Sequence, residues 1–370
     1  MVSDAAQGLD ESGRSESIRC GVNRTTIIEV LTAIWQRILQ RPSVGANDSF
    51  FDLGGNPSSA AKLFAEIAEV FGRRLPPVLI YSAPTIEALS ALLERPDPPR
   101  VSPLLLLKAG AEQPPIFIAH GIGNTVFNFF HLVQQMRSSH PIYGIQARGV
   151  DGVDDALTSI EAMAQFHLDA IKLLQPHGPY LLIGYSLGGL VTLEIAQRLS
   201  AVGEKVALLA LVDTYPHKSK LTPKQRRRLT FRRAKRRACL LIETARRRTR
   251  QKTAKDAGGR AALGRNPALL ADPIMRRMRE AENLAWQRYQ PRYYSGKIKF
   301  VKAEITTDFP DNPVAIWSHL AEKFEIETAP GDHLGMLTTE FDKLGLALTR
   351  YLDDASSGTH LKPGPTKNVS

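Results

Sequence analysis

Tyr180-Leu181-Leu182-Ile183-Gly184-Tyr185-Ser186-Leu187-Gly188-Gly189-Leu190-Val191-Thr192-Leu193-Glu194-Ile195-Ala196 is the stretch whose reading decides the fold. The apolar run before Gly184 suits a buried strand, and the run from Leu187 suits a helix. Between them stands a serine flanked by glycines. A serine hydroxyl is a poor nucleophile unless a base removes its proton and the backbone thrusts it into the open. A sharp strand-to-helix turn does the second job, and glycines at 184 and 188 let strand and helix close on each other without colliding side chains. The placement predicts a nucleophile elbow with Ser186 at its tip, rather than a plain glycine turn.

Outward from the elbow, strands and helices alternate. The pattern predicts strands at Ile116 to Ala119, Ile142 to Gln146, Tyr180 to Ile183, Val206 to Val212, Lys297 to Val301 and Phe324 to Thr328. Helices such as Ser159 to Leu174 and Leu187 to Val202 fall between them. This alternation implies an α/β fold, a mostly parallel sheet covered on both faces. Residues from about 217 to 290 break the rhythm with a helical, basic, strand-free stretch, expected to be an insertion over the carboxyl end of the sheet.

The 370 residues suit two domains, one of them large, and 43% hydrophobic residues allow sizeable cores. No apolar run approaches a membrane span. The polar start of the chain, residues 1–24, is expected to be a disordered leader without the apolar region of a signal peptide, and 354–370 a disordered tail. Cys20 and Cys239 are the only cysteines, far apart, which suits neither a disulfide framework nor a zinc site and fits a cytoplasmic protein. The net charge of +11 is local: 17 Lys and Arg oppose only Glu243 and Asp256 between His217 and Asp256, leaving the remainder mildly acidic. Runs such as Arg226-Arg227-Arg228 and Arg246-Arg247-Arg248 lack the interleaved aromatics of a base-stacking surface beyond Phe231. A solvated face, or a surface for an acidic protein or a phosphate, is the simpler expectation than nucleic acid.

Residues 25–94 read as a small helical unit. Ile27, Leu31, Ile34, Trp35 and Ile38 follow helical spacing; Ala60, Leu63, Phe64 and Ile67 line a second helix; Thr85 caps a third. Arg95-Pro96-Asp97-Pro98-Pro99-Arg100 is a stiff polar linker.

Ser186 needs a base, and the base needs an orienting carboxylate. His333, in Pro330-Gly331-Asp332-His333 just past the last strand, stands where a histidine follows serine and acid in chain order. His217 opens the insertion and His319 is expected in an amphipathic helix. Asp213 ends the strand after the nucleophile's, Asp308 follows the next strand, and Asp332 adjoins the histidine. Spacing favours Asp213 over Asp308, with Asp332 last because neighbouring loop side chains seldom face each other. Two backbone amides must hold an oxyanion: Leu187 after the nucleophile, and Ile122 in His120-Gly121-Ile122-Gly123-Asn124 after the first predicted strand. His120 precedes the serine and is expected to brace that loop.

With these residues in view, 101–353 resembles the type I thioesterase domain of non-ribosomal peptide and polyketide synthases, an α/β-hydrolase fold whose lid would be the 217–290 insertion. Residues 25–94 resemble the carrier domain that precedes it. Leu211-Val212-Asp213-Thr214-Tyr215-Pro216 matches the family's acid-bearing stretch, so the resemblance implies Asp213 as the acid, and Pro330-Gly331-Asp332-His333 matches its histidine segment. In the carrier-like part, Asp48 through Gly55, Ala60 and Leu63 match without a gap. The phosphopantetheine-bearing serine then falls on Pro57, which has no hydroxyl, and Ser58 would stand about 100° further round the helix, towards an apolar position.

The resemblance implies a serine thioesterase that releases acyl or peptidyl chains from a carrier-bound phosphopantetheine thioester, by hydrolysis or cyclisation. Its partner would be a carrier protein or megasynthase. Catalysis would need no cofactor or metal, and a phosphopantetheine arm on this chain's own carrier-like part is doubtful. The rival expectations are an esterase or acyltransferase acting on free esters, and a non-catalytic docking protein with a dead carrier and a basic binding segment.

Overall fold

The computed structural model describes residues 23–97, 100–123, 125–235, 273–306 and 309–357. Residues 1–22 of the expected leader, 358–370 of the expected tail, both cysteines, the basic segment beyond Lys235 and Asp308 lie outside these residues; 354–357, expected in the disordered tail, instead complete the helix Phe341–Ser357. Contacts divide the chain into two units, one comprising residues up to Ser102 together with Val150–Asp154, the other the remainder.

Among its described residues the first unit has four helical segments, Arg24–Leu39, Pro57–Phe71, the 3-10 turn Pro77–Tyr81 and Ile86–Glu94. Ile27, Leu31, Ile34 and Trp35 are buried along the first, and Ala60, Leu63, Phe64 and Ile67 along the second. Trp35 meets Phe50 edge to face at 5.1 Å, anchoring the long loop between them. The turn into the second helix obeys every local rule. Asn56 is its N-cap and accepts from the amides of Ser58 and Ser59 at 2.9 and 3.1 Å. Ser59 Oγ accepts from the Asn56 amide at 2.8 Å, closing the reciprocal box. Pro57 is the first helical residue, where its missing N–H costs nothing. Ser58 is solvent-exposed, not turned towards the core as the helical offset suggested. Ser59 and Ala60 are the residues that follow the inward arc.

The second unit is a seven-stranded sheet: β1 Leu104–Lys108, β2 Ile116–Ala119, β3 Ile142–Ile145, β4 Tyr180–Tyr185, β5 Val206–Val212, β6 Tyr294–Ile305 and β7 Ala321–Asp332. The order is β1-β3-β2-β4-β5-β6-β7, parallel throughout except that β1 runs antiparallel to β3. The chain reverses direction across the sheet between β2 and β4, where open α/β sheets place their sites. Alternate residues face opposite layers. Phe117, Leu182, Leu209, Leu211 and Phe300 pack against helices Ile160–Leu174 and Leu187–Ala201. Ile116, Ile118, Leu181, Ile183, Leu208 and Val301 pack on the other face against Phe130–Gln135 and Phe341–Ser357. Both faces are therefore dry, which is why these strands read as continuous apolar runs. The described part of the insertion comprises helical residues 223–235 and the helix Pro273–Arg288. No helix among the described residues is long and apolar enough to cross a membrane.

Candidate active site

Register brings the functional residues to one edge. Ala119 pairs with Gly184, Tyr185 with Val212, and Val212 with Val301. The residues just beyond these pairs, His120, Ser186 and Asp213, therefore leave adjacent strands at the same level. β7 runs on past that level, pairing with β6 up to Asp332, and His333 follows it.

Ser186 sits at φ 56°, ψ −119°, a conformation that L-residues rarely adopt. Its amide is held by Val212 O at 2.9 Å. Although it is the N-cap of helix Leu187–Ala201, its side chain makes no capping bond. A Cβ on Gly184 would strike the backbone of Gly189, and one on Gly188 would strike the carbonyl of Ala119. Gly184 thus lets strand and helix close, whereas Gly188 makes room for the neighbouring strand's end and not for the elbow's own strand.

Ser186 Oγ lies 3.1 Å from His333 Nε2, and His333 Nδ1 lies 2.7 Å from Asp213 Oδ2. The other Asp213 oxygen accepts from the Ala303 amide at 3.2 Å, and Asp213 N donates to Val301 O at 2.8 Å. Asp213 is buried, so its carboxylate is aimed by β6 and cannot swing to solvent. Asp332, the adjacent acid, instead accepts from Gly335 N at 2.7 Å and starts the turn after the histidine. His333 is also clamped by rings: Tyr185 stacks on it at 4.8 Å and donates to its carbonyl at 2.7 Å, and Phe309 packs at 4.3 Å.

The loop after β2 closes the other side. A Cβ on Gly121 would lie 2.9 Å from Ser186 Cβ, so the loop backbone is in contact with the serine. Ile122 N–H makes no hydrogen bond to another described residue. Leu187 heads its helix, so its N–H has no intrahelical partner. His120 is buried with Nδ1 3.0 Å from Gly121 O, and burial depresses its basicity, which suits a brace. His217 bonds Ser219 and meets Trp286 edge to face, and His319 is exposed in a turn; neither approaches the serine through a contact found among the described residues.

Sequence reasoning missed two neighbours, His167 and Glu282, which with His120, Ala119, Leu187 and Gly188 border a cavity beside the serine. Burial pushes His167 down to about 3 and Glu282 up to about 8, so both are neutral near pH 7. Glu282 comes from helix Pro273–Arg288 and accepts from Gly123 N at 2.6 Å. Its spacing from that loop, 159 residues, left no local signal. Part of the basic stretch is structural too. Arg232 donates to Phe309 O at 3.3 Å and Thr306 O at 3.1 Å, and Arg228 pairs with Asp311 at 2.9 Å. Arg226 and Arg227 face solvent.

A family model described as "Thioesterase domain" matches residues 114–345, and one described as "Phosphopantetheine attachment site" matches 29–93. The chain is 35% identical over 195 residues to a dimodular nonribosomal peptide synthase of Bacillus subtilis (strain 168), covering 52% of this chain and 8% of that protein. It is 36% identical over 189 residues to an indigoidine synthase of Dickeya dadantii (strain 3937), covering 51% of this chain and 13% of the relative. The chain thus spans only a small part of these curated relatives. In structure it resembles holo-AB3403, a four-domain nonribosomal peptide synthetase, at TM-score 0.54 and 23% identity over 93% of this chain and 27% of that one. It also resembles the type II thioesterase BorB from the borrelidin biosynthetic cluster, at TM-score 0.50 and 15% identity over 67% and 97%. At those identities the structural likeness speaks to the fold alone, whereas the family model covers more than half of the sequence: the chain belongs to the thioesterase family and carries a phosphopantetheine attachment-site domain ahead of the thioesterase domain.

Proposed function

We propose that this chain is a serine thioesterase that cleaves acyl or peptidyl chains from phosphopantetheine thioesters presented by a carrier protein or megasynthase. The observation that supports it most is the unbroken line from Ser186 Oγ through His333 to the buried Asp213. His333 Nε2 takes the Ser186 proton as Oγ attacks the thioester carbonyl, while Asp213 holds the imidazole tautomer and the imidazolium charge. The Ile122 and Leu187 amides receive the developing oxyanion. Collapse breaks the C–S bond, and the His333 proton goes to the departing thiolate. Water, or a nucleophile within the acyl chain, then attacks the acyl-serine with the same histidine as base.

In organisation, the proposal assigns residues 25–94 to the carrier-like domain, 95–100 to the linker and 101–353 to the hydrolase, with its insertion at about 217–290. A phosphopantetheine arm needs a hydroxyl at the head of helix Pro57–Phe71, and position 57 offers a pyrrolidine ring. Position 57 does not fit the group, and the exposed Ser58 hydroxyl stands one residue past the matching position; on this proposal the arm is absent, the substrate would arrive on carriers of other proteins and the domain would serve as a docking module. Exposed Lys224, Arg226 and Arg227 supply a positive face for an acidic carrier.

Turnover of a carrier-bound acyl thioester against the matching free oxygen ester tests this reading. Faster release from the thioester, with stoichiometric free thiol, is expected; preference for the oxygen ester would move the chain to the esterase alternative.

A further inference from the structure

The helix Pro273–Arg288 is tied to both sides of the proposed catalytic centre. Near its middle, Glu282 is 3% exposed and accepts from Gly123 N at 2.6 Å. One turn earlier, the Arg279 stem lies over the same glycine. One turn later, Ala285 is fully buried, and Trp286 Nε1 donates to Tyr215 O at 2.9 Å, two residues after Asp213. At the helix's end Tyr289 OH donates to buried Glu194 at 3.0 Å. The helix is therefore anchored on the core and reaches out with one carboxyl to the loop after β2.

That carboxyl does not hold the loop at an arbitrary point. Gly123 N belongs to the peptide that directly follows Ile122, whose own N–H faces no other described partner. Gly121 on the other side touches Ser186. The Ile122 side chain packs on the core, but glycine on both sides leaves the peptide free to turn, and among the described residues the bond to Gly123 N–H is the hydrogen bond that fixes the plane directly after Ile122.

We infer that Glu282 is a positioning residue: its hydrogen bond to Gly123 N–H holds the Ile122 amide in oxyanion-binding geometry, so that the hole is complete only when the insertion helix is seated. The inference rests on the thioesterase reading above and adds a residue that the triad logic does not require. An oxyanion donor acts on the transition state and not on the bound thioester. Loss of the Glu282 acceptor therefore lowers kcat and leaves KM in place.

Glu282→Gln and Glu282→Met form the test, because both are uncharged at similar length and only Gln retains an acceptor. Steady-state hydrolysis of an N-acetylcysteamine thioester and the rate of Ser186 labelling by a fluorophosphonate are measured on the full chain. Circular dichroism and the melting temperature serve as controls for folding. Glu282→Met is expected to lose about 10- to 100-fold in kcat and in labelling rate, somewhat less than outright deletion of an oxyanion donor, with KM changed by less than about threefold. Glu282→Gln is expected to stay within about threefold of wild type in both measurements. Equal losses in the two variants, a rise in KM alone, or a Glu282→Met enzyme as fast as wild type would each overturn the inference. A wild-type chain that neither turns over the thioester nor labels on Ser186 would take the thioesterase reading down with it; a wild type that does both beside an undiminished Glu282→Met removes the positioning role alone.

Discussion

Two helix N-termini in this molecule occupy positions where the family places a working serine, and they have been resolved in opposite ways. At the head of Leu187–Ala201, Ser186 is present, strained at φ 56°, and makes no capping bond although serine is a good cap. At the head of Pro57–Phe71, Asn56 caps two amides, Ser59 closes the box, and proline takes the first helical position. The first turn breaks local rules, and the surrounding strands hold it there. The second satisfies each of them and has no hydroxyl at position 57. On the proposed function, the turn held in local strain by tertiary structure is the one that would carry chemistry, and the locally relaxed turn is the one that would not.

The sharpest way to break that contrast is Ser186→Ala. It should remove thioester turnover by about 10⁴-fold or more while leaving the melting temperature within a few degrees, because the side chain contributes no cap. Stopped or coupled thiol-release assays would read the loss, and retention of a tenth of the activity would place the nucleophile elsewhere. Asp213→Asn comes next, with kcat down by about 10³- to 10⁴-fold through the wrong imidazole tautomer. Asp332→Asn should cost little, since its carbonyl can still accept from Gly335 N, and reversed results for these two acids would reassign the carboxylate.

A second contrast lies within the basic stretch. Neutralising exposed Lys224, Arg226 and Arg227 should raise KM several-fold for a carrier-bound substrate at low salt, and leave an N-acetylcysteamine ester untouched. Arg228 pairs with Asp311, Arg232 holds the carbonyls of Thr306 and Phe309, and Phe309 lies on His333, so replacing these two arginines should slow both substrates; the two groups cannot be pooled in one variant. Equal effects from the exposed residues would show that they shape the pocket instead.

One further effect concerns stability and pH, spread over several pH units. Glu282 is raised from 4.5 to about 8 by burial, so between those values the unfolded chain has released a proton that the native chain keeps. Stability from this group is complete below about pH 4.5, declines as pH rises, and has levelled off beyond about 8, a span on the order of 3–5 kcal/mol. Urea titrations of wild type against Glu282→Gln from pH 5 to 8.5 should show the wild type losing ground steadily. Parallel lines would mean that the carboxyl ionises normally.

Much of the fold was legible because the sheet is dry on both faces. Ile116–Ala119 and Val206–Val212 end where their apolar runs end. β6 and β7 extend well beyond the expected Lys297–Val301 and Phe324–Thr328, since their ends pair with each other while carrying polar, partly or fully exposed residues such as Lys302, Glu304 and Glu322. Leu104–Lys108, an antiparallel edge strand, was not singled out at all. At the candidate site, Ser186, Asp213 and His333 could be found because each immediately follows a strand. Tyr185, Phe309 and Glu282 act through contacts across 24 to 159 residues, and nothing in their local spacing announces a partner. Ser58 misled for a different reason: a helical offset counted from Pro57 ignores that the inward arc begins at Ser59 and Ala60.

The central claim, one working serine and one lost one, is tested most directly by mass spectrometry of the wild-type chain. The protein would first be exposed to a fluorophosphonate, and then to a broad phosphopantetheinyl transferase with coenzyme A, before intact-mass and peptide mapping. The account predicts a single phosphonyl group on Ser186 and no phosphopantetheine arm, with Pro57→Ser gaining the arm. An unlabelled Ser186, or a wild-type chain that takes up the arm on Ser58, would contradict it.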